Sequence, residues 1–257
     1  MIIRNPKDLV ERYDQLAAGD IFIGTISSAH LKKTIFIDLL ERGVCCFPSP
    51  LSQMLNGSKT AQATLLKEWM LPNTRVIARR ADLIESGNQY HREGITAVVT
   101  KEDRMHCGHG IRKWDSVELL YNVTSMMEPA YPFVLQPFLN RFTDVRIIIA
   151  GNMIDAYARN NPDNFRQNLS AGGASEPYHT DRKTQLFCRS AMERGKFPYA
   201  HIDIQVTGDG TCYLSEIALN GGMAGSRLDR KELDGRKQAI LEKLAKKAQK
   251  EKRASTK

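Results

Sequence analysis

An α+β fold is predicted by three features of the chain: a β-α-β stretch over residues 20–47, a hairpin turning at Gly151-Asn152, and a second hairpin turning at Gly208-Asp209-Gly210. The first alternates strands with a helix, and the other two give antiparallel pairs. Together they predict a short N-terminal α/β region, a small middle subdomain, and a C-terminal antiparallel sheet with helices.

Taken in order, Asp20 to Ile26 reads as a buried strand. Leu31, Ile35, Leu39 and Leu40 keep helical spacing over residues 30–42, and Gly43 closes the helix. Val44 to Phe47 is the next strand, stopped by Pro48. Ser58 is the expected N-cap of a helix through Met70, which Pro72 ends, with Leu65, Leu66 and Trp69 on its core side. In the middle subdomain, Ile95 to Thr100 forms a strand, the loop through Cys107-Gly108-His109-Gly110 follows, and Ile111 resumes extended structure. Met126 and Met127, before Glu128-Pro129, are expected to pack the end of a subdomain. Phe133 to Leu139 is a short segment interrupted by Pro137. Val145 to Ala150 and Met153 to Arg159 flank the first hairpin turn, Asn160 to Ser175 is a loop rich in Asn, Gly and Ala, and a helix covers 178–194. No internal repeat is present.

Composition narrows the class. With 257 residues, 42% apolar and 26% charged, the chain can bury a sizeable core. The opening Met-Ile-Ile-Arg-Asn-Pro-Lys lacks the apolar core of a signal peptide, and no run approaches the ~18 apolar residues of a spanning helix. Five cysteines without paired metal-type spacing suit free thiols in a reducing cytoplasm. The net charge of +8 is concentrated at the end: residues 231–257 hold ten Lys/Arg against four Asp/Glu. That segment reads as a basic helical tail, fraying into solvent or contacting RNA, the ribosome or an acidic partner.

The chemistry concentrates in the second hairpin. Asp203 lies within Ile202-Asp203-Ile204 and Glu216 within Tyr213-Leu214-Ser215-Glu216-Ile217. If the register places both on one face, they form an oxygen cage suited to Mg²⁺. His106, Cys107 and His109 are too closely spaced for a standard zinc cage, and Cys107 has no evident base to make it a nucleophile.

An ordered set of motifs carries a resemblance. Lys59 opens a helix ending in Leu65-Leu66, and Lys101 closes a strand before Gly108 and Gly110. Then come Val134 to Phe138, Asp144-Val145-Arg146, Gly151-Asn152, Phe165-Arg166-Gln167-Asn168, Gly172-Gly173, Asp203 and Glu216. This order resembles the ATP-grasp superfamily, closest to its ribosomal-protein glutamate ligase and glutathione synthetase-like branch. It covers roughly residues 50–228 and is sharpest from Asp144 to Gly173.

The resemblance implies an ATP-grasp fold with a shortened N-terminal α/β region (1–57), an ATP-grasp domain (58–230) and the basic tail (231–257). ATP would lie between a lid subdomain (58–139) and a sheet subdomain (140–230). It further implies an ATP-dependent carboxylate–amine (or thiol) ligase working through an acyl phosphate, with an amino acid, peptide or protein as the carboxylate substrate. Lys59 and Lys101 match phosphate-contacting lysines, and Arg104 to Arg112 matches the mobile glycine-rich flap, including Gly108 and Gly110. Gln136, Pro137 and Phe138 match the linker that meets adenine, where Pro137 replaces an acidic residue and has no N–H. Asp144 matches a ribose-contacting acid. Arg166 and Asn168 match the Arg-x-Asn pair at the reacting phosphate, with Gln167 between them and Arg146 and Arg159 near.

Asp203 and Glu216 match ligands of Mg²⁺, with Mn²⁺ as the alternative ion. The usual Glu-x-Asn signature reads Glu216-Ile217-Ala218 here, so Asn220 is the expected replacement oxygen across a bulged strand end. That departure leaves a catalytically silent ATP-binding protein as one alternative, and a basic RNA- or ribosome-associated module on the same fold as another. The short N-terminal region leaves acceptor-site area for a partner subunit, a second copy or a large peptide substrate to supply. No membrane contact is expected.

Overall fold

The computed structural model of the protein describes residues 1–26, 32–103, 105, 108–126 and 131–255. Strands β1 (Ile2–Ile3), β2 (Ile21–Ile23) and β3 (Cys45–Phe47) form a parallel sheet whose crossovers carry helices α1 (Pro6–Glu11) and α2 (Lys32–Glu41). Parallel neighbours need such crossovers, so the β-α-β reading of residues 20–47 holds. Within α2 the buried stripe runs through Phe36 and Leu39, while Leu40, expected in the core, is 56% exposed. Leu31 lies outside the described residues.

Helices α3 (Pro50–Leu55) and α4 (Lys59–Leu65) follow, with Ser49 and Ser58 as side-chain N-caps. The helix expected to reach Met70 stops early. Leu66 leaves helical geometry (φ −114°, ψ 23°) and is fully buried, and a separate 3₁₀ turn spans Lys67–Trp69. Leu65 and Trp69 still pack on the core as expected.

The middle module is an antiparallel sheet of β4 (Arg75–Ile77), β5 (Val98–Glu102), β6 (Ile111–Trp114) and β7 (Phe133–Pro137), in the order β4-β7-β5-β6. Helices α5 (Arg80–Arg92) and α6 (Val117–Met126) pack on it through Leu83, Tyr90, Val117 and Leu120. Strand β4 and both helices have no counterpart in the sequence reading. Helix α5 buries only Leu83, Ser86 and Tyr90, too sparse a stripe for apolar periodicity to register. Met126, expected to pack, is 89% exposed, and Met127, Glu128 and Pro129 lie outside the described residues.

The last sheet runs β10-β9-β8-β11-β12, all antiparallel: β8 (Thr143–Ala150), β9 (Met153–Asn160), β10 (Ala174–Pro177), β11 (Ala200–Val206) and β12 (Cys212–Ala218). Both predicted hairpins are present. Helix α7 (Arg182–Arg194) starts later than expected because Asp181 caps it, accepting from the Thr184 amide at 2.7 Å. Val145, Ile147, Ile149, Ile202 and Ile204 turn to one face and join Cys188, Ala191 and Met192 of α7 in the main core.

Helix α8 (Arg230–Ser255) corrects the picture of a solvated tail. Leu233, Leu241 and Ala245 are part of the same core, spaced to lie on one helix face. Further along, Glu242 accepts from Arg4 at 2.9 Å and Lys252 donates to the Ala18 carbonyl at 2.8 Å, so the helix also ties down the N-terminal sheet. Cys45, Cys46, Cys188 and Cys212 are free thiols, and Cys107 lies outside the described residues. No helix among the described residues is long and apolar enough to cross a membrane.

Replacing Leu241 with Ala is expected to cost about 2–5 kcal/mol of stability in urea unfolding. Lys247→Ala, on the exposed face of the same helix, should change stability by less than about 0.5 kcal/mol. Equal effects of the two would contradict a docked helix.

Candidate active site

Strand register assembles the centre of the site. Asp203 on β11 lies directly opposite Glu216 on β12 and opposite Arg146 on β8, and Arg146 in turn faces Tyr157 on β9. Asp144 and Arg159 are paired in the neighbouring row. All six side chains line one cavity of about 540 Å³, on the sheet face opposite Val145, Ile147, Ile202 and Ile204. That volume is in the range of nucleotide- and drug-sized pockets.

The carboxylates of this sheet are held by guanidinium groups. Arg146 grips Asp203 with two bonds, Nε to Oδ1 and Nη2 to Oδ2, each 2.7 Å. Arg159 Nη2 bridges Asp144 (2.8 Å to Oδ2) and Asp203 (3.1 Å). Burial alone would raise the Asp203 carboxyl, but Arg159 and Arg146 override it and hold it well below the usual carboxylate range. Asp144 goes the other way: burial pushes its carboxyl up despite Arg159. Arg159 Nε is buried without a partner, a donor left over for an anion in the cavity.

Two lysines reach the same place from other modules. Gln62 on α4 clasps the edge of β12, donating to the Ile217 carbonyl at 2.9 Å and accepting from its amide at 3.0 Å. One turn earlier, Lys59 is buried, donates to the Met105 carbonyl at 2.6 Å and stands 3.8 Å from Glu216. Lys101, at the end of β5, donates to Ser215 Oγ at 3.1 Å. Burial pulls its ammonium down to about 8, partly offset by Glu216.

The described part of the glycine-rich loop rests on the Arg-x-Asn segment. Arg166 donates to the Gly108 carbonyl at 3.3 Å and to the Ile111 carbonyl. Gly108 has φ +78°, and a Cβ there would stand 3.3 Å from Asn168 Oδ1. Only glycine combines that backbone with so close an approach. Gly110 sits beside it, against Met105 and Glu102. Arg104, His106 and Cys107 lie outside the described residues, and among the described ones no cluster of His, Cys, Asp or Glu could hold a metal unaided.

At the other end the cavity is walled by Val99, Phe138, Leu139 and Phe165. Phe138 and Phe165 meet edge to face at 6.4 Å, and Lys113 lies 4.5 Å over Phe138. The polar groups expected to read a base here are partly committed to the protein. The Phe138 amide donates to the Ala97 carbonyl at 2.9 Å, and Gln136 donates to Thr74 Oγ1 at 2.8 Å. Gln167 spends its side chain on its own loop, accepting from the Asn161 amide and donating to the Asn164 carbonyl.

The glycine-bearing loop Gly221 to Arg227 borders the cavity, as its sequence suits, but two residues that shape the site, Asp155 and Lys237, escaped the sequence reading. Asp155 is buried and accepts from Ser226 at 2.7 Å and from Arg227 at 2.8 Å, pinning the loop after β12. Gly225 lets that loop press on Tyr157, where a Cβ would stand 2.5 Å from the ring. Lys237 of α8 is buried among His201, Leu219 and Asn220. A signal for it existed: Lys237 interrupts the i, i+4 stripe of Leu233, Leu241 and Ala245.

This cluster corrects one expectation. Asn220 lines the cavity, but its Oδ1 accepts from Lys237 Nζ at 2.7 Å, and the register shift of the hairpin falls at Asp203/Ile204 rather than beyond Ala218. The oxygen meant to replace the missing asparagine thus faces an ammonium. Asp203 and Glu216, side by side, remain a fit for one Mg²⁺ that arrives with nucleotide, because Mg²⁺ typically takes one or two carboxylates plus phosphate oxygens and water.

Asp203→Asn leaves two buried guanidinium groups facing an amide, and should cost about 3–5 kcal/mol in urea unfolding. With the folded carboxyl below its ordinary value, this contribution is full above about pH 4 and fades as acid approaches the depressed value. A variant as stable as wild type at pH 7 would contradict the pairing.

The chain matches the RimK-like ATP-grasp domain family over residues 58–238. No curated protein matches it. Among solved structures it is similar to D-alanine–D-alanine ligase from Bacillus anthracis complexed with ATP, at 16% identity over 96% of this chain and 84% of that one, with a TM-score of 0.62. It is likewise similar to D-cycloserine synthetase DcsG, at 12% identity over 96% of this chain and all (100%) of that one, with a TM-score of 0.61. The ATP-grasp ligase PsnB, complexed with minimal precursor, Mg and ADP, gives 17% identity over 87% and 79% of the two chains and a TM-score of 0.57. At these identities the structural likeness speaks to the fold, and the family match, covering well over half of the sequence, settles the rest: this chain belongs to the RimK-like ATP-grasp family.

Proposed function

We propose that this protein is an ATP-dependent carboxylate–amine ligase that activates its carboxylate substrate as an acyl phosphate. The observation that carries this reading is the convergence of Lys101, Arg146, Arg159 and Arg166 on one cavity bordered by Gly108 of the glycine loop, with Lys59 at its rim, 3.8 Å from Glu216. Such a set suits a polyphosphate and little else of that size. The apolar end between Val99, Phe138 and Phe165 suits a flat base, and Asp144, on the cavity wall, would accept from a sugar hydroxyl.

In the reaction, a carboxylate oxygen attacks the γ-phosphorus and the β–γ bridging bond breaks, releasing ADP. An amine then attacks the acyl carbon, loses a proton, and phosphate leaves. The protein supplies position and charge more than covalent chemistry. Lys59 and Lys101 hold phosphate oxygens as point charges. Arg159 offers its unpartnered Nε, and Arg166, already bonded to the loop carbonyls, couples loop closure to the reacting phosphate. Asp203 keeps Arg146 and Arg159 in place before substrate arrives. Glu216 and Asp203 would hold a Mg²⁺ that arrives with ATP, which would supply neutralisation of phosphate charge.

For the substrate we favour a carboxylate on an amino acid or peptide. PsnB was solved with a precursor peptide and the Bacillus anthracis enzyme is a D-alanine–D-alanine ligase, which makes that class the first to screen. Lys243, Lys246, Lys247 and Lys250 keep α8 cationic on its exposed side, suited to attract an acidic peptide or RNA, and a reducing cytoplasm suits the free thiols. We divide the chain as an N-terminal region to residue 57 and an ATP-grasp domain with lid and sheet parts, with α8 docked on the sheet. A second reading, a silent ATP-binding protein, is favoured by Ala218 and by the arginine grip on Asp203.

The test is trapping with hydroxylamine: ATP, Mg²⁺ and a panel of amino acids and acidic peptides should yield ADP and a hydroxamate of the accepted carboxylate. Arg166→Ala should reduce that yield at least ~100-fold, the scale of losing one preorganised charge donor. ATP binding without hydroxamate or phosphate release across the panel would favour the silent binder.

A further inference from the structure

The loop that follows β12 carries four oxygens, three of them on cavity-lining residues, near the end where a metal-binding asparagine would belong, and each accepts from a cationic side chain. Lys237 Nζ reaches Asn220 Oδ1 at 2.7 Å and the Leu219 carbonyl at 3.2 Å. Arg230 donates to the Gly221 carbonyl and Arg146 to the Gly222 carbonyl, both at 3.3 Å. Ala218, facing His201 across the hairpin, contributes no donor at all.

His201 cannot fill the gap. Its Nε2 lies 3.2 Å from Lys237 Nζ, and an ammonium has only hydrogens to give, so Nε2 is the acceptor and the neutral ring carries its proton on Nδ1. Nδ1 is buried without a partner, close against Gly221. A protonated nitrogen is no metal ligand. Lys237 itself is 5% exposed and lies 5.1 Å over the Tyr199 ring, so its ammonium is packed beside these oxygens.

We infer that this protein takes up a single divalent ion with ATP, on the Glu216 side of the hairpin, and that Lys237 supplies a built-in positive charge at the Ala218 end in place of a second ion. The inference rests on the ATP-binding reading above. Three features distinguish the two ends: Glu216 keeps a carboxylate whose ion pair among the described residues is with Lys59 at 3.8 Å, the oxygens of the far end each already accept from a cationic donor, and a buried ammonium repels any divalent ion placed within a few ångströms. Helix α8, outside the phosphate-binding modules, thereby becomes part of the site's electrostatics.

The experiment is a titration of Mn²⁺ into the full chain with the non-hydrolysable analogue AMPPNP, reading free Mn²⁺ by electron paramagnetic resonance and bound nucleotide by calorimetry. Wild type should bind one Mn²⁺ per nucleotide. Ala218→Asn should still bind one, because Lys237 remains, and Ala218→Asn combined with Lys237→Met should bind two. Two ions in wild type, or in Ala218→Asn alone, would overturn the inference while leaving the nucleotide site intact. A double variant that binds nucleotide with one ion would overturn the role of Lys237. Should the double variant not fold, the wild-type and Ala218→Asn counts still decide. Absence of nucleotide binding by wild type would overturn the ligase reading and this inference together.

Discussion

Strand register is the constraint on which the site depends. Pairing Asp203 with Arg146 on one side and Glu216 on the other is fixed by the hydrogen-bond ladder of β8, β11 and β12. The alternate residues, Val145, Ile147, Ile202 and Ile204, fill the core beneath α7 and α8. A slip by one residue would send the charges into that core and the isoleucines into the cavity. The apolar face therefore specifies where the carboxylates and guanidinium groups stand, and burial of isoleucine does the positioning for an ionic site.

That arrangement is costly to build. Taking Asp203, Arg146 and Arg159 out of water requires each to find partners, and the two bonds from Arg146 and the bridge from Arg159 supply them. The result is a set of cations held in place by the fold itself, so little reorganisation would remain on binding an anion. The same economy recurs at the edges. Gln62 seals the free edge of β12 while aiming Lys59, and Asp155 fixes the loop that brings Asn220 and Gly222 to the cavity.

Legibility in the sequence followed the strength of local patterns. The two hairpins showed because alternation and turn residues coincide at Gly151-Asn152 and around Asp209. Lys59, Lys101, Asp144, Arg166 and Asp203 were identified through the order of motifs, and the fold brings them to one cavity or its rim. Helix α5 was illegible because its buried face is only Leu83, Ser86 and Tyr90. The role of α8 was misread because lysines and arginines together outnumber its apolar positions, although Leu233, Leu241 and Ala245 keep the i, i+4 rhythm. Asn220 was assigned to a metal on spacing alone, and spacing carries no information about Lys237, which comes from seventeen residues further along.

The central claim is that the basic cavity is a nucleotide site whose phosphates are met by Lys101 and whose ion is met by Glu216. Isothermal titration of AMPPNP with Mg²⁺ into wild type, Lys101→Met and Glu216→Gln tests it most directly. The account predicts binding by wild type with a weaker, salt-sensitive affinity in Lys101→Met, and loss of the Mg²⁺ dependence in Glu216→Gln. Undiminished, Mg²⁺-dependent binding in both variants, or no binding by wild type, would contradict it.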